Sequence, residues 1–356
     1  MRRTLTLAVC LAACAVLVAA PVGGAGNGTP DDRSATAVTY AVIGDTPYGQ
    51  PQIDSFPNDV AEINGDPSVR LVLHLGDIKN GSTRCDTSYF EQILADFGGF
   101  KDPLVYTPGD NEWTDCHRAS NGGYNPGERL ATIRQMFFAE PGQSLGDRSK
   151  ALDYQAAPYV ENVRWSDSRV EFGLLNVPGS NNDWLPWFGA ARTQAQIDEY
   201  TNRNAADLAW LDHVFAVAEE QGTEAVVLGI QADMWDPAFS GAKDDPTQYD
   251  HFTAFAQELA KQSLAFGKPV LLLNGDSHKF TDDYPLSAAA PAYQRTMYGV
   301  TQAVPNLHRI TVNGSTTPCH EWLKLTIDPR ADGIFSVERV RFHNQPGFDP
   351  AVCPAT

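Results

Sequence analysis

Several signatures are missing from this 356-residue sequence, and each absence removes a class of function. No C-x-x-C pair occurs, so a zinc ribbon or cluster is the weaker use of its cysteines. No P-loop and no dinucleotide fingerprint is present. Ser180 lacks a G-x-S-x-G elbow, which disfavours a serine hydrolase built on it. Basic residues are in deficit: 26 Lys and Arg stand against 44 Asp and Glu, a formal net charge of −18. Such a surface repels nucleic-acid phosphates and anionic membranes, so no nucleic acid is expected on a basic face. No 20–50-residue repeat appears.

Long apolar runs are also scarce. The one at 5–20 follows Arg2 and Arg3 and ends in small residues, the pattern of a secretory signal over 1–26. It is too short for a transmembrane span, so no transmembrane anchor is expected. The box around Cys14 lies inside the run, which makes a lipoprotein the lesser reading. A linker at 27–37 and one domain over 38–356 complete the expected organisation, for a secreted or extracytoplasmic protein. Beyond Cys10 and Cys14 four cysteines remain, Cys85, Cys116, Cys319 and Cys353. An even count in an exported chain suggests two disulfides with three possible connectivities. Cys85–Cys116 with Cys319–Cys353 is preferred, because Cys85 and Cys116 each follow a carboxylate-bearing strand end.

What is present is a recurring event. Short apolar runs read as buried strands at 38–43, 69–75, 104–106, 225–230 and 270–273. Each breaks into ligand-capable residues: Asp45; Asp77 with Asn80; Asp110, Asn111 and Glu112; Gln231 with Asp233; and Asp276 with His278. Helical spacing falls at 54–64, 88–97, 127–139, 191–220 and 249–266 between them. Extended strands joined by a polar turn are expected at 154–159 and 169–176, and more strands at 309–312, 322–327 and 335–342. Strands alternating with helices favour a parallel α/β sheet whose carboxyl ends share one edge. Converging carboxylates repel one another unless a cation sits among them. The chemical reading is a site for one or two divalent metals that align a phosphoryl group and activate water.

Order and spacing of these strand ends resemble the calcineurin-like metallophosphoesterases, which include the purple acid phosphatases. The resemblance implies a single-domain, four-layer α/β sandwich over a dimetal centre. It also implies motifs of the form Asp-x-His, Gly-Asp-x-x-Asp, Gly-Asn-His-Glu, a lone His and Gly-His-x-His. Here Asp45 keeps the first ligand while Pro47 replaces its paired His, and Asp77 keeps the bridging carboxylate while Asn80 ends that motif. Asp110 and Asn111 stand where Asn and His are expected, Asn111 at the place of the residue that assists the leaving group. Gln231 takes the place of the lone His, Asp276 that of the next His, and His278 is kept. The resemblance therefore implies metal ligands Asp45, Asp77, Asp110, Gln231, Asp276 and His278. His117 or His278 is the candidate to protonate the leaving group. Oxygen donors dominate, so Mg, Mn or Ca is expected before Zn or Fe. The function implied is hydrolysis of a small-molecule phosphoester by metal-activated water. The alternative is a non-catalytic pseudoenzyme that binds a ligand at the same place.

Overall fold

The computed structural model describes residues 36–189, 191–236, 245–315 and 320–343. The expected signal segment, most of the linker and the Cys319–Cys353 pairing lie outside the described residues. In chain order the strands are β1 (Val38–Ile43), β2 (Val69–His74), β3 (Leu104–Tyr106), β4 (Asp153–Tyr154), β5 (Val163–Asp167) and β6 (Val170–Leu174). They continue as β7 (Ala225–Gly229), β8 (Val270–Asn274), β9 (Thr281–Asp283), β10 (Leu307–Thr311), β11 (Glu321–Ile327) and β12 (Phe335–Arg341). One sheet runs β12-β11-β1-β2-β3 and the other β4-β5-β6-β7-β8-β10-β9. The central pairs β1–β2, β2–β3, β6–β7, β7–β8 and β8–β10 are parallel.

Strand periodicity sorts the apolar side chains into layers. Along β1, Tyr40 and Val42 face the second sheet, where Phe172, Leu174, Val227, Leu271 and Leu273 meet them. Ala41 and Ile43, one residue out of phase, face outward onto Phe56, Val60, Phe90 and Phe97. On the other side Val226, Leu228 and Leu272 pack under Trp210, Leu211, Phe215 and Leu259. Sheets buried on both faces read as continuous apolar runs, which is why these strands were legible. The result is helix, sheet, sheet, helix: the four-layer α/β arrangement.

The covering helices follow from spacing and caps. Gln50–Gly65 begins with a proline in its first turn and buries Ile53, Phe56, Val60 and Ile63 on one face. Gln194–Gln221 starts at Thr193, whose hydroxyl accepts the Gln196 N–H at 3.2 Å, and stops at Gly222 in the left-handed region.

One part differs from expectation. Of the run at 154–159 only Tyr154 is strand, as the end of Asp153–Tyr154, and β6 pairs instead with β5, in the stretch expected to be a polar turn. Arg164, Ser166 and Asp167 give β5 that turn-like look. The fold satisfies them within the sheet: Arg164 and Ser166 bond Glu171, and Tyr40 donates to Asp167 at 2.6 Å. Val163 and Trp165 alternate inward as a half-buried strand should.

Among the described residues no helix is long and apolar enough to cross a membrane. Cys85 and Cys116 form the expected disulfide, closing a separation of 31 residues. Removing it as the double variant Cys85→Ser/Cys116→Ser is expected to cost about 4 kcal/mol, from loop-closure entropy returned to the unfolded chain. Chemical denaturation of oxidised wild type against the double variant measures this.

Candidate metal centre

Every residue of the expected ligand set follows a parallel strand. Asp45, Asp77 and Asp110 come after β1, β2 and β3 of one sheet; Gln231 and Asp276 with His278 come after β7 and β8 of the other. Because the sheets face each other with these ends on one side, the side chains meet across the gap. Asp45, Asp77 and His278 each offer a ligand atom within 4.8 Å of the others, and so do Asp77, Asp110 and Asp276. Asp77 belongs to both groups.

The strand ends reach this convergence through unusual backbone. Asp45 (φ 53°), Asp77 (φ 55°), Asp276 (φ 75°) and His278 (φ 56°) are all in the left-handed region. Such residues cost on the order of 1–3 kcal/mol each and collect where function needs a fixed geometry. Close approach of backbone tightens the site further. A Cβ on Gly109 would lie 2.1 Å from Asp77 Oδ1 and 2.3 Å from Asp77 N. Gly109→Ala is expected to displace Asp77 and cost about 1–3 kcal/mol by overpacking. A thermal melt and a manganese titration of the variant check this, with uptake weakened in the expected result.

Hydrogen bonds hold the carboxylates in place. Asp77 Oδ1 accepts the Asn111 N–H at 3.1 Å, and Oδ2 accepts the Asn111 amide at 2.7 Å and the Tyr48 hydroxyl at 3.0 Å. Asp45 accepts the Asp276 N–H at 3.0 and 3.1 Å, and its Oδ1 lies 3.3 Å from His278 Nε2. Gln231 spans two loops, donating to Asp110 Oδ1 at 3.3 Å and accepting from Gly179 N. Glu112 works as scaffold. Its Oε1 accepts from Asp77 N at 3.1 Å, Gly109 N at 2.6 Å and the Tyr106 hydroxyl at 2.7 Å. Behind Asn111, its carbonyl takes the Lys79 ammonium at 2.6 Å and abuts both sulfurs of the disulfide.

The electrostatics follow from burial. Asp77 is pushed well above the usual carboxylate range by burial first, then by Asp110, Glu112 and Asp45. Asp276 is raised by burial and then by Asp110 and Asp45. Burial also raises Glu112 and Asp115 to about 7 and lowers Lys79 to about 8. For His278 burial opposes the charged ring, yet the hydrogen bond and charge of Asp45 hold it above the ordinary histidine value. Ionised carboxylates within 4.8 Å repel by at least roughly 3 kcal/mol at an effective dielectric of about 20. Convergent oxygen donors under that load fit a hard divalent cation.

Of the residues singled out from sequence, Asp45, Asp77, Asp110, Asp276 and His278 come together, Gln231 touches Asp110, and Asn111 holds Asp77. His117 stands apart. Its Nδ1 lies 2.7 Å from the Thr114 carbonyl, its ring meets Phe188 edge-on at 5.9 Å, and burial lowers its pKa. Two residues outside the expected set belong to the site. Tyr48 reaches Asp45, Asp77, His278 and Asn111 with one hydroxyl; its place three residues after Asp45 was the only signal. Ser180 donates to Asp110 Oδ2 at 2.8 Å from a left-handed turn, and lies 3.0 Å from Asp115 Oδ1. Nothing in the sequence pattern around Ser180 announced this. The one G-x-S-x-G match, Gly142 to Gly146, lies in a loop where Ser144 accepts the Lys150 N–H, far from any strand-to-helix elbow.

A search of curated proteins finds no match. Among solved structures, similar chains include the GAP50 anchor in the inner membrane complex of Plasmodium, at 10% identity and a TM-score of 0.45, covering 88% of this chain and 92% of that one. Purple acid phosphatase PPD1 from yellow lupin (Lupinus luteus) seeds is similar at 9% identity and a TM-score of 0.47 over 88% of this chain. The chain spans only 55% of the length of that lupin protein. Residues 38–280 match the calcineurin-like phosphoesterase family, a span that contains every residue of both ligand groups. The chain belongs to the calcineurin-like phosphoesterase family.

Proposed function

We propose that the protein is an exported, metal-dependent hydrolase of small phosphoesters. The observation that carries this reading is the position of Asp77 in both ligand groups, buried among carboxylates that need a cation. A protein of net charge −18 would otherwise repel an anionic phosphoester from this place. A divalent cation held by Asp77, Asp110, Asp276 and neighbouring donors supplies Lewis-acid activation of the phosphoryl group and of water. Asp77 and Asn111 fix the geometry, since the Asn111 amide and N–H clamp both carboxylate oxygens. His278 Nε2 lies between Asp45 Oδ1 at 3.3 Å and the Tyr48 hydroxyl at 3.2 Å, so a proton carried there is the one this reading assigns to the leaving oxygen. Export is supported by the Cys85–Cys116 disulfide, which persists in oxidising compartments.

A second reading has its own support. Asn111 stands where the family places a leaving-group acid, and its amide is committed to Asp77 and Tyr48. A protein that binds a phosphoester without turning it over would tolerate that. Assays of p-nitrophenyl and bis-p-nitrophenyl phosphate with Mg, Mn, Ca and Zn separate the two. Hydrolysis that depends on added metal supports the enzyme; thermal stabilisation by the esters without product supports the binder.

A further inference from the structure

The two ligand groups differ in how their charge is met. In the Asp45–Asp77–His278 group every carboxylate already faces donors from this chain. Asp45 Oδ1 has His278 Nε2 at 3.3 Å, the Asp276 N–H at 3.0 Å and the Tyr48 hydroxyl at 3.5 Å. Asp77 Oδ2 has the Tyr48 hydroxyl at 3.0 Å and the Asn111 amide at 2.7 Å. Tyr48 is buried, and its hydroxyl stands among the three ligand side chains of this group, Asp45, Asp77 and His278. The position two residues after Asp45 is Pro47, which brings no ligand atom.

The Asp77–Asp110–Asp276 group shares Asp77 and its donors but has no imidazole among its three ligand residues. Among the described residues the hydrogen bonds to the Asp110 carboxylate come from the Gln231 amide and the Ser180 hydroxyl, both neutral. Asp276 Oδ2 accepts the Asp233 N–H at 3.2 Å, and among the described residues no donor reaches its Oδ1. The nearby basic side chains are turned elsewhere. Lys79 bonds the carbonyls of Asn80 and Asn111, and Arg309 bonds Asp233 and Asp283. Asp77 brings the same phenol and amide to both groups; the third member of one is the His278 imidazole beside Asp45, whereas in the other it is a third carboxylate, so the excess of negative charge that draws a cation is larger there.

We propose that the chain holds a single divalent cation, in the Asp77–Asp110–Asp276 group, and that the Asp45–Asp77–His278 group is closed by Tyr48, Asn111 and His278 of the chain itself. This rests on the reading of the strand ends as a cation site and narrows it. Leaving His278 on Asp45 removes the only nitrogen donor from the ligand set, so the cation is an oxygen-seeking one such as Mg, Mn or Ca. His278 is thereby left to handle a proton.

The test uses chelator-stripped full-length protein and Mn(II) alone. Calorimetry is expected to give one equivalent per chain, and electron paramagnetic resonance at saturation an uncoupled six-line spectrum. Asp276→Asn is expected to weaken uptake at least tenfold. His278→Asn, suited to the left-handed φ of 56°, is expected to keep one equivalent within about threefold of wild-type affinity. Circular dichroism confirms that both variants fold. Two equivalents, a spin-coupled spectrum, loss of uptake in folded His278→Asn, or no uptake by wild type each overturns the inference. Two equivalents with manganese-dependent ester hydrolysis would sink the single-cation inference and leave the hydrolase reading standing. One equivalent without hydrolysis would do the reverse.

Discussion

Asp77→Asn is expected to lose metal-dependent hydrolysis by roughly a hundredfold to a thousandfold in kcat/KM while leaving the metal-free protein at least as stable as wild type. The two halves of this result have one cause. Asp77 is the carboxylate common to both ligand groups, so removing its charge withdraws a ligand from either place a cation could sit. Lewis-acid stabilisation of developing charge is worth several kcal/mol, and each 1.36 kcal/mol is tenfold in rate. Without a cation the same charge is costly, because Asp77 is buried and faces Asp110, Glu112, Asp45 and Asp276, and the folded protein holds a proton there instead. Asparagine, neutral at every pH, stands in for that protonated form. Asparagine also tolerates the left-handed φ of 55° at this position. A residue that merely held the fold would move both measurements downward; opposite movement marks a site residue. Steady-state kinetics and a melt in EDTA measure the two halves on the same preparation.

Stabilisation by added cation is expected to grow as pH rises from about 5 to about 8. The sign follows from proton counting. Asp77 and Asp276 have folded-state pKa values raised above their unfolded ones, so the folded, cation-free protein holds protons that the unfolded chain releases. The stability those protons contribute is present at low pH and lost as pH rises through the raised values. A cation must displace them, so its apparent affinity rises by about tenfold per pH unit for each proton released. His74 acts in the opposite sense. Burial lowers it to about 4, so its contribution to stability is lost as pH falls below the ordinary 6.5. It lies on the far face of β2, with Nε2 2.9 Å from the Thr46 carbonyl, and is common to both forms. Its effect therefore cancels when loaded and stripped proteins are compared. Lys79, lowered to about 8, changes stability above this window. Differential scanning calorimetry with and without Mn at several pH values measures the difference. A shift that shrinks with pH would show that the raised carboxylates are not the ligands.

Sequence carried much of this site because its chemistry sits where apolar runs stop. Val69–His74 followed by Leu75, Gly76 and Asp77 is a buried parallel strand that ends in its ligand, and both halves of that pattern survive in one dimension. The remainder depends on backbone that no pattern reports. Tyr48 joins the cluster only because the chain turns back after Asp45, and its neighbour Gly49 has a φ of 75°. Ser180 reaches Asp110 through a turn in which residues 180–183 are all left-handed. His117 looked attractive beside Cys116, yet the short helix at Thr114–His117 aims its ring at Phe188. β5 was hidden by Arg164 and Asp167, charges whose partners Glu171 and Tyr40 are remote or unremarkable in sequence.

A cation held by the strand-end carboxylates would make the protein a phosphoesterase. The most direct measurement is p-nitrophenyl phosphate hydrolysis by chelator-stripped protein as Mn(II) is titrated in, with Asp77→Asn alongside. Activity that is absent without metal, appears with saturable dependence on Mn(II), and is lost in the folded variant is the predicted result. Activity indifferent to chelation, or equal in wild type and Asp77→Asn, would contradict it.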